Sequence, residues 1–84
     1  MKRILHILRR GDSGALEVIR AQAQSNEVTV ILVQDAADLE LPELKVPVFA
    51  LAEDIKNKKG NLHPQIGYKE MLGYILDSDT AVTW

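Results

Sequence analysis

The sequence predicts an α/β protein of three layers, α/β/α, with helices on both faces of a mainly parallel sheet of about five strands. Three observations carry that expectation. Short apolar segments rich in β-branched residues alternate with segments whose apolar residues recur at helical spacing. The strongest strand, Val28-Thr29-Val30-Ile31-Leu32-Val33, is apolar on both faces, as strands sandwiched between helical layers are. The connections are too short for anything but compact layers, so residues 1–84 read as one domain without linker, repeat or low-complexity segment.

Each element follows from its residues. Arg3 to Leu8 carries Ile4, Leu5, Ile7 and Leu8 and reads as a buried strand that stops at the turn-rich Arg9-Arg10-Gly11-Asp12-Ser13-Gly14. Asp12 or Ser13 is placed to accept from the free N–H groups opening a helix. From Ala15 to about Gln24, Leu16, Ile19 and Ala23 share one helical face, and Ser25-Asn26 ends the run. After the Val28–Val33 strand, Asp35 to Leu39 reads as a helical turn or two capped by Asp35, with Pro42 in the following connection. Val46 to Leu51 is a third strand with Pro47 near its start, where a missing ladder donor is tolerable. Glu53 to Lys59 suits a short helix stopped by Gly60-Asn61. Gln65-Ile66-Gly67 is a very short strand, Tyr68 to Leu76 a helix with Met71, Leu72, Ile75 and Leu76 on one side, and Thr80 to Trp84 the last strand. The order is β-α-β-α-β-α-β-α-β; the arrangement of strands within the sheet is not readable.

A domain of 84 residues buries only about 60–65% of its unfolded surface, which leaves a thin stability margin. With no cysteine in the chain, disulfides and cysteine-held metals are excluded as remedies, and association with another subunit remains. A content of 46% hydrophobic and 26% charged residues places the chain among ordinary globular proteins. A net charge of −2 argues against a dedicated nucleic-acid binder, which carries a basic excess. The charges are uneven: Lys2, Arg3, Arg9 and Arg10 crowd one region, Lys56, Lys58 and Lys59 another, with Asp35, Asp38, Glu40 and Glu43 between. These read as solvated faces or, alternatively, as a docking surface for an oppositely charged partner. No apolar run approaches the roughly 20 residues of a membrane helix. The opening Met1-Lys2-Arg3-Ile4-Leu5-His6 lacks the features of a secretory signal, so a cytoplasmic location is expected.

Ligands of open parallel sheets sit beyond the carboxyl ends of the strands. Three loops qualify: Arg9 to Gly14, Gln34 to Asp38, and the stretch after Leu51. In the first, Arg9, Arg10, Gly11 and Ser13 form a weak anion-binding candidate beside a helix start. It matches neither common phosphate-loop pattern, and Asp12 opposes an anion; a capped turn is the plainer reading. Asp12 and Asp35 are more simply two caps than an acid–base pair, and the third strand runs into Leu51-Ala52, where a phosphoacceptor site would need an aspartate. His6, inside a strand, reads as a core or interface histidine; His63, before Pro64, as exposed and inert. Their separation gives no metal spacing, and Ser13, Ser25 and Ser78 lack a nucleophile context. No catalytic residue, metal or cofactor is therefore assigned. Trp84 has a large apolar surface that calls for docking, on its own sheet or on a partner chain.

Taken together, Ile4-Leu5-His6-Ile7-Leu8, Val33-Gln34-Asp35, Val48-Phe49-Ala50-Leu51-Ala52-Glu53-Asp54-Ile55, Ile66-Gly67-Tyr68-Lys69-Glu70-Met71-Leu72 and a tail ending in Trp84 resemble the TusB/DsrH family of small DsrE/DsrF-like proteins, by order, spacing and length. The resemblance implies a cytoplasmic α/β/α subunit that joins DsrE-like and DsrF-like subunits in a hetero-oligomer. Such complexes pass persulfide sulfur toward 2-thiolation of wobble uridine in tRNA, or serve dissimilatory sulfur oxidation. Some DsrH relatives carry a cysteine in the first helix; the matching position here lies near Ile19, so that role does not transfer. The Gly11-Asp12-Ser13-Gly14 loop is shorter and more glycine-rich than the resemblance implies. The expected function is a non-catalytic relay subunit without the thiol that carries sulfur. The alternative is a stand-alone homo-oligomer binding a small anion or nucleotide at the sheet's carboxyl edge; an independent enzyme is the weakest reading.

Overall fold

In a computed structural model of the chain, which describes residues 1–56 and 63–84, five parallel strands form one sheet. Strand β1 (Arg3–Leu8) leads through helix α1 (Ser13–Ala23) to β2 (Glu27–Leu32). A 3₁₀ turn (Gln34–Asp38) and an irregular stretch lead to β3 (Val48–Leu51), and a second 3₁₀ turn (Ala52–Asp54) follows it. Then come β4 (Gln65–Ile66), helix α2 (Tyr68–Asp77) and β5 (Thr80–Thr83). The spatial order is β4-β3-β2-β1-β5.

That order explains the layers. From β1 to β4 each strand is laid down beside its predecessor, in one direction; the last crossover runs back to place β5 on the far side of β1. Parallel crossovers are right-handed, so reversing direction moves the connecting segment to the opposite face. Helix α1 and the first 3₁₀ turn therefore cover one face, packing Ala15, Ile19, Ala36 and Ala37 onto Ile4, Leu8, Val28, Val30, Leu32 and Ala50. Helix α2 covers the other, setting Met71, Tyr74 and Ile75 against Leu5, Ile31, Val33, Leu51 and Ile66. Alternation along β2 and the following Val33 supplies both clusters, which is why this segment carries apolar residues on both faces.

The two helices are unequally committed. Ile19 of α1 is fully buried, whereas no residue of α2 is. Tyr68, Leu72 and Leu76, spaced four apart on α2, remain 56%, 54% and 76% exposed.

Several boundaries differ from the sequence expectation. Helix α1 begins at Ser13 rather than Ala15, because the Asp12 carboxylate caps it by accepting from the Ala15 N–H. The 3₁₀ turn after β2 is not capped by Asp35: its cap residue is Val33, with no side-chain hydrogen bond. Strand β3 starts at Val48, since Lys45 has φ of 58° and bends the chain before Pro47. Of the helix expected over Glu53 to Lys59, the described part is a single 3₁₀ turn that gives way to extended backbone at Ile55; the portion from Asn57 onward, with Lys58, Lys59 and the Gly60-Asn61 stop, lies outside the described residues. Among the described residues no helix is long and apolar enough to cross a membrane.

Candidate functional site: the carboxyl rim of the sheet

The chain leaves β1 toward β2, while β5 arrives on the other side of β1. This makes the carboxyl ends of β1 and β5 the switch point of the sheet, where open α/β proteins bind ligands. Here that place is taken by the protein's own Trp84. Its main-chain N–H donates to the Ile7 carbonyl at 2.9 Å. Its indole Nε1 donates to His6 Nδ1 at 2.9 Å, and its main-chain oxygen accepts from Arg9 Nε at 3.0 Å.

His6 is wholly buried on the α1 face of β1. An indole N–H only donates, so His6 Nδ1 accepts and the ring proton sits on Nε2. From there it donates to Gln22 Oε1, 2.6 Å away on α1. The chain Trp84–His6–Gln22 thus satisfies both imidazole nitrogens and ties β5, β1 and α1 together. The His6 and Trp84 rings lie nearly parallel, 6.0 Å apart at 20°. Both interface candidates are consequently joined to each other, with His6 inside the core and Trp84 docked on its own sheet. Gln22 was missed by sequence reading, although its place on the Ala15–Ile19 face of α1, three residues after Ile19, marks a polar group aimed inward.

The remaining loops of the rim are bonded to one another. The Arg9 carbonyl accepts from the Ala36 N–H at 3.2 Å, linking the loops after β1 and β2. Gln34, at φ of 52°, is in the left-handed region that costs a non-glycine residue of order 1 kcal/mol. That conformation accompanies a bond from its N–H to the Asp54 carboxylate at 2.7 Å. Asp38 accepts from the Lys56 N–H at 2.9 Å, and His63 Nε2 lies 3.0 Å from the Leu39 carbonyl. His63 is therefore half-buried and bonded, which corrects the expectation of an exposed, inert residue.

The sequence-predicted anion loop is distributed accordingly. Arg9 is engaged by Trp84, Asp12 occupies the start of α1, and Arg10, Gly11 and Ser13 lie on the exposed or half-exposed turn. Asp12 and Asp35 do not form a pair: one caps α1 and the other is exposed beside the 3₁₀ turn. Among the described residues no three His, Cys, Asp or Glu side chains converge as a metal-binding group.

Two concavities lie elsewhere. One of about 250 Å³ opens at the amino edge, beside Arg3, Leu5, Thr29, Tyr74 and Asp77. Its rim carries the Arg3–Glu27 ion pair at 3.2 Å, with both side chains 61% exposed, a geometry worth little in water. Another, of about 400 Å³, lies between the end of α1 and Leu44, flanked by Arg20, Glu43 and Lys45. Neither adjoins the switch point. The chain matches no protein-family model, and none of the curated proteins compared with it matches either.

Proposed function

We propose that this chain is a non-catalytic subunit of a sulfur-relay hetero-oligomer of the TusB/DsrH kind. Its partners in this reading are DsrE-like and DsrF-like subunits whose cysteines pass persulfide toward tRNA wobble-uridine 2-thiolation or sulfur oxidation. The observation that supports it most is the self-occupied carboxyl rim, where Trp84 bonds to both His6 and Arg9 at the position a parallel sheet offers to ligands. Holding and handing on sulfur requires a thiolate, and the chain contains no cysteine. What the chain offers a relay is therefore surface.

The same observation weighs against the rival reading, a stand-alone anion or nucleotide binder, because the Arg9 guanidinium already donates to Trp84 and Asp12 already caps the helix start.

Affinity purification of the tagged chain from its native cell tests the proposal. The expected result is stoichiometric recovery of two cysteine-bearing α/β subunits, with labelled sulfane sulfur on those subunits only. Recovery of the chain without such partners, or label covalently retained on this chain, overturns it.

A further inference from the structure

We infer that β5 is the edge along which two copies of this chain pair, antiparallel, about a two-fold axis passing Ala81. The inference does not depend on the sulfur-relay reading; the edge strand and its surroundings carry it.

Strand β5 has β1 as its one strand neighbour among the described residues. Natural edge strands are blunted by charge, proline, bulges or extreme shortness. The opposite edge follows that rule: β4 is two residues long and preceded by Pro64. Strand β5, Thr80-Ala81-Val82-Thr83, has no charge and no proline.

Its register with itself is defined. The Trp84 N–H donates to the Ile7 carbonyl and Ala81 pairs with Leu5, so alternation along the strand turns the main-chain groups of Val82 toward β1 and those of Ala81 and Thr83 outward. An antiparallel second copy pairs Thr80 with Val82 of the other copy, and Val82 with Thr80. Ala81 then faces Ala81 of the other copy at the axis. That is a hydrogen-bonded pair, each Ala81 N–H donating to the carbonyl of the other, with Cα atoms about 5.5 Å apart. Ala81 opposes Leu5 in the sheet, which puts it on the α2 face, where it is exposed.

The charges around the strand favour the same arrangement. Exposed Asp77 and Asp79 flank its amino end; exposed Arg9, bonded to the Trp84 oxygen, and Arg10 flank its carboxyl end. A two-fold axis sets the acidic end of each copy beside the basic end of the other, whereas a parallel neighbour sets like beside like.

An apolar flank runs beside this edge. Tyr74 leans on Phe49 of β3, with ring centroids 5.2 Å apart. Leu72 and Leu76 each lie two residues from Tyr74, about 200° around the helix. They therefore occupy the flank away from β3, toward β1 and β5, and are the exposed leucines of α2. Pairing two copies at Ala81 brings these flanks toward each other across the axis.

Sedimentation velocity of the purified full chain over a concentration series tests the assignment. The expected species are the 9.4 kDa chain and a particle of twice that mass, and none larger, since a closed two-fold contact does not propagate. Ala81→Lys places two ammonium groups opposite each other at the axis and weakens the dimer more than roughly tenfold. The exposed position leaves circular dichroism and thermal unfolding of the monomer unchanged. Because the chain has no cysteine, Ala81→Cys supplies a single thiol at a Cα separation a disulfide spans. Under mild oxidation it forms a covalent dimer faster than Ser25→Cys, an exposed control away from β5. A chain monomeric throughout, Ala81→Lys dimerising like the parent, or equal cross-linking of the two cysteine variants overturns the inference.

Discussion

The indole of Trp84 and the imidazole of His6 meet edge to edge at 2.9 Å, Nε1 donating to Nδ1, across 78 positions of sequence. This contact fixes the end of β5 against the core of β1. It also gives a fully buried polar ring the one partner its second nitrogen lacks after Gln22 has taken the first. A buried acceptor without a donor is costly, so the residue that caps the switch point is also part of what stabilises the strand beside it.

Trp84→Phe keeps an aromatic ring and removes the donor. The expected loss is about 1–3 kcal/mol, the cost of leaving His6 Nδ1 buried and unpaired, read as a lowered midpoint in urea unfolding. In a His6→Leu background no acceptor is left behind, and the same substitution costs markedly less. A double-mutant cycle then gives a coupling of about 0.5–3 kcal/mol. Strict additivity of the two changes shows that the contact carries no stability of its own.

The same hydrogen bond fixes a tautomer, which is observable without mutation. With Nδ1 accepting from the indole, the His6 proton resides on Nε2. Nitrogen-15 NMR of the neutral ring is expected to show Nε2 protonated and Nδ1 bare. A ring with the proton on Nδ1 excludes the Trp84 bond as described.

How much of this was legible in the sequence divides by range. The β1 boundaries, Arg3 to Leu8, and both helices follow from local pattern and match the structure to within two residues, because apolar periodicity and the Asp12 cap are nearest-neighbour chemistry. The start of β3 was misplaced because a positive φ at Lys45 leaves no compositional mark. Asp35 looked like a cap by residue type, but the turn beside it opens from Val33 without side-chain help. The rim was unreadable for a different reason. Trp84 to His6 depends on the direction of the last crossover, and Asp54 to Gln34 and Asp38 to Lys56 on the placing of β3 beside β2; no local segment encodes either.

At the start of α1, the Asp12 carboxylate accepts from the Ala15 N–H at 3.1 Å, satisfying one of the helix's free donors. Asp12→Ala is expected to destabilise the chain by about 0.5–2 kcal/mol, and Asp12→Ser to recover most of that. If Asp12→Ala leaves the unfolding midpoint unchanged, the cap contributes nothing and the loop is free for another role.

The unequal burial of the two helices predicts unequal stability. Ile19→Ala empties a fully enclosed site on α1 and is expected to cost about 2–5 kcal/mol. Leu76→Ala, on the exposed flank of α2, is expected to fall within about 0.5 kcal/mol in the monomer. Native-state hydrogen exchange at concentrations that favour the monomer should show the α2 amides opening before those around Ile19. Equal protection of the two helices contradicts the assignment of α1 as the anchor.

Gly73 offers a change in the opposite direction. It sits inside α2 with a helical backbone, no positive φ, and nothing within 4 Å of where a Cβ would stand. Neither close approach nor turn geometry requires glycine there, so its conformational freedom only adds entropy to the unfolded chain. Gly73→Ala is expected to raise stability by about 0.5–1 kcal/mol. In a domain this small that is several degrees in Tm. The substitution also leaves the flank formed by Leu72 and Leu76 untouched, so the gain should appear in the monomer and at every protein concentration. A fall in Tm on this substitution means that position 73 is covered by something the isolated fold does not contain, and that α2 is buried in solution on the side this structure leaves open.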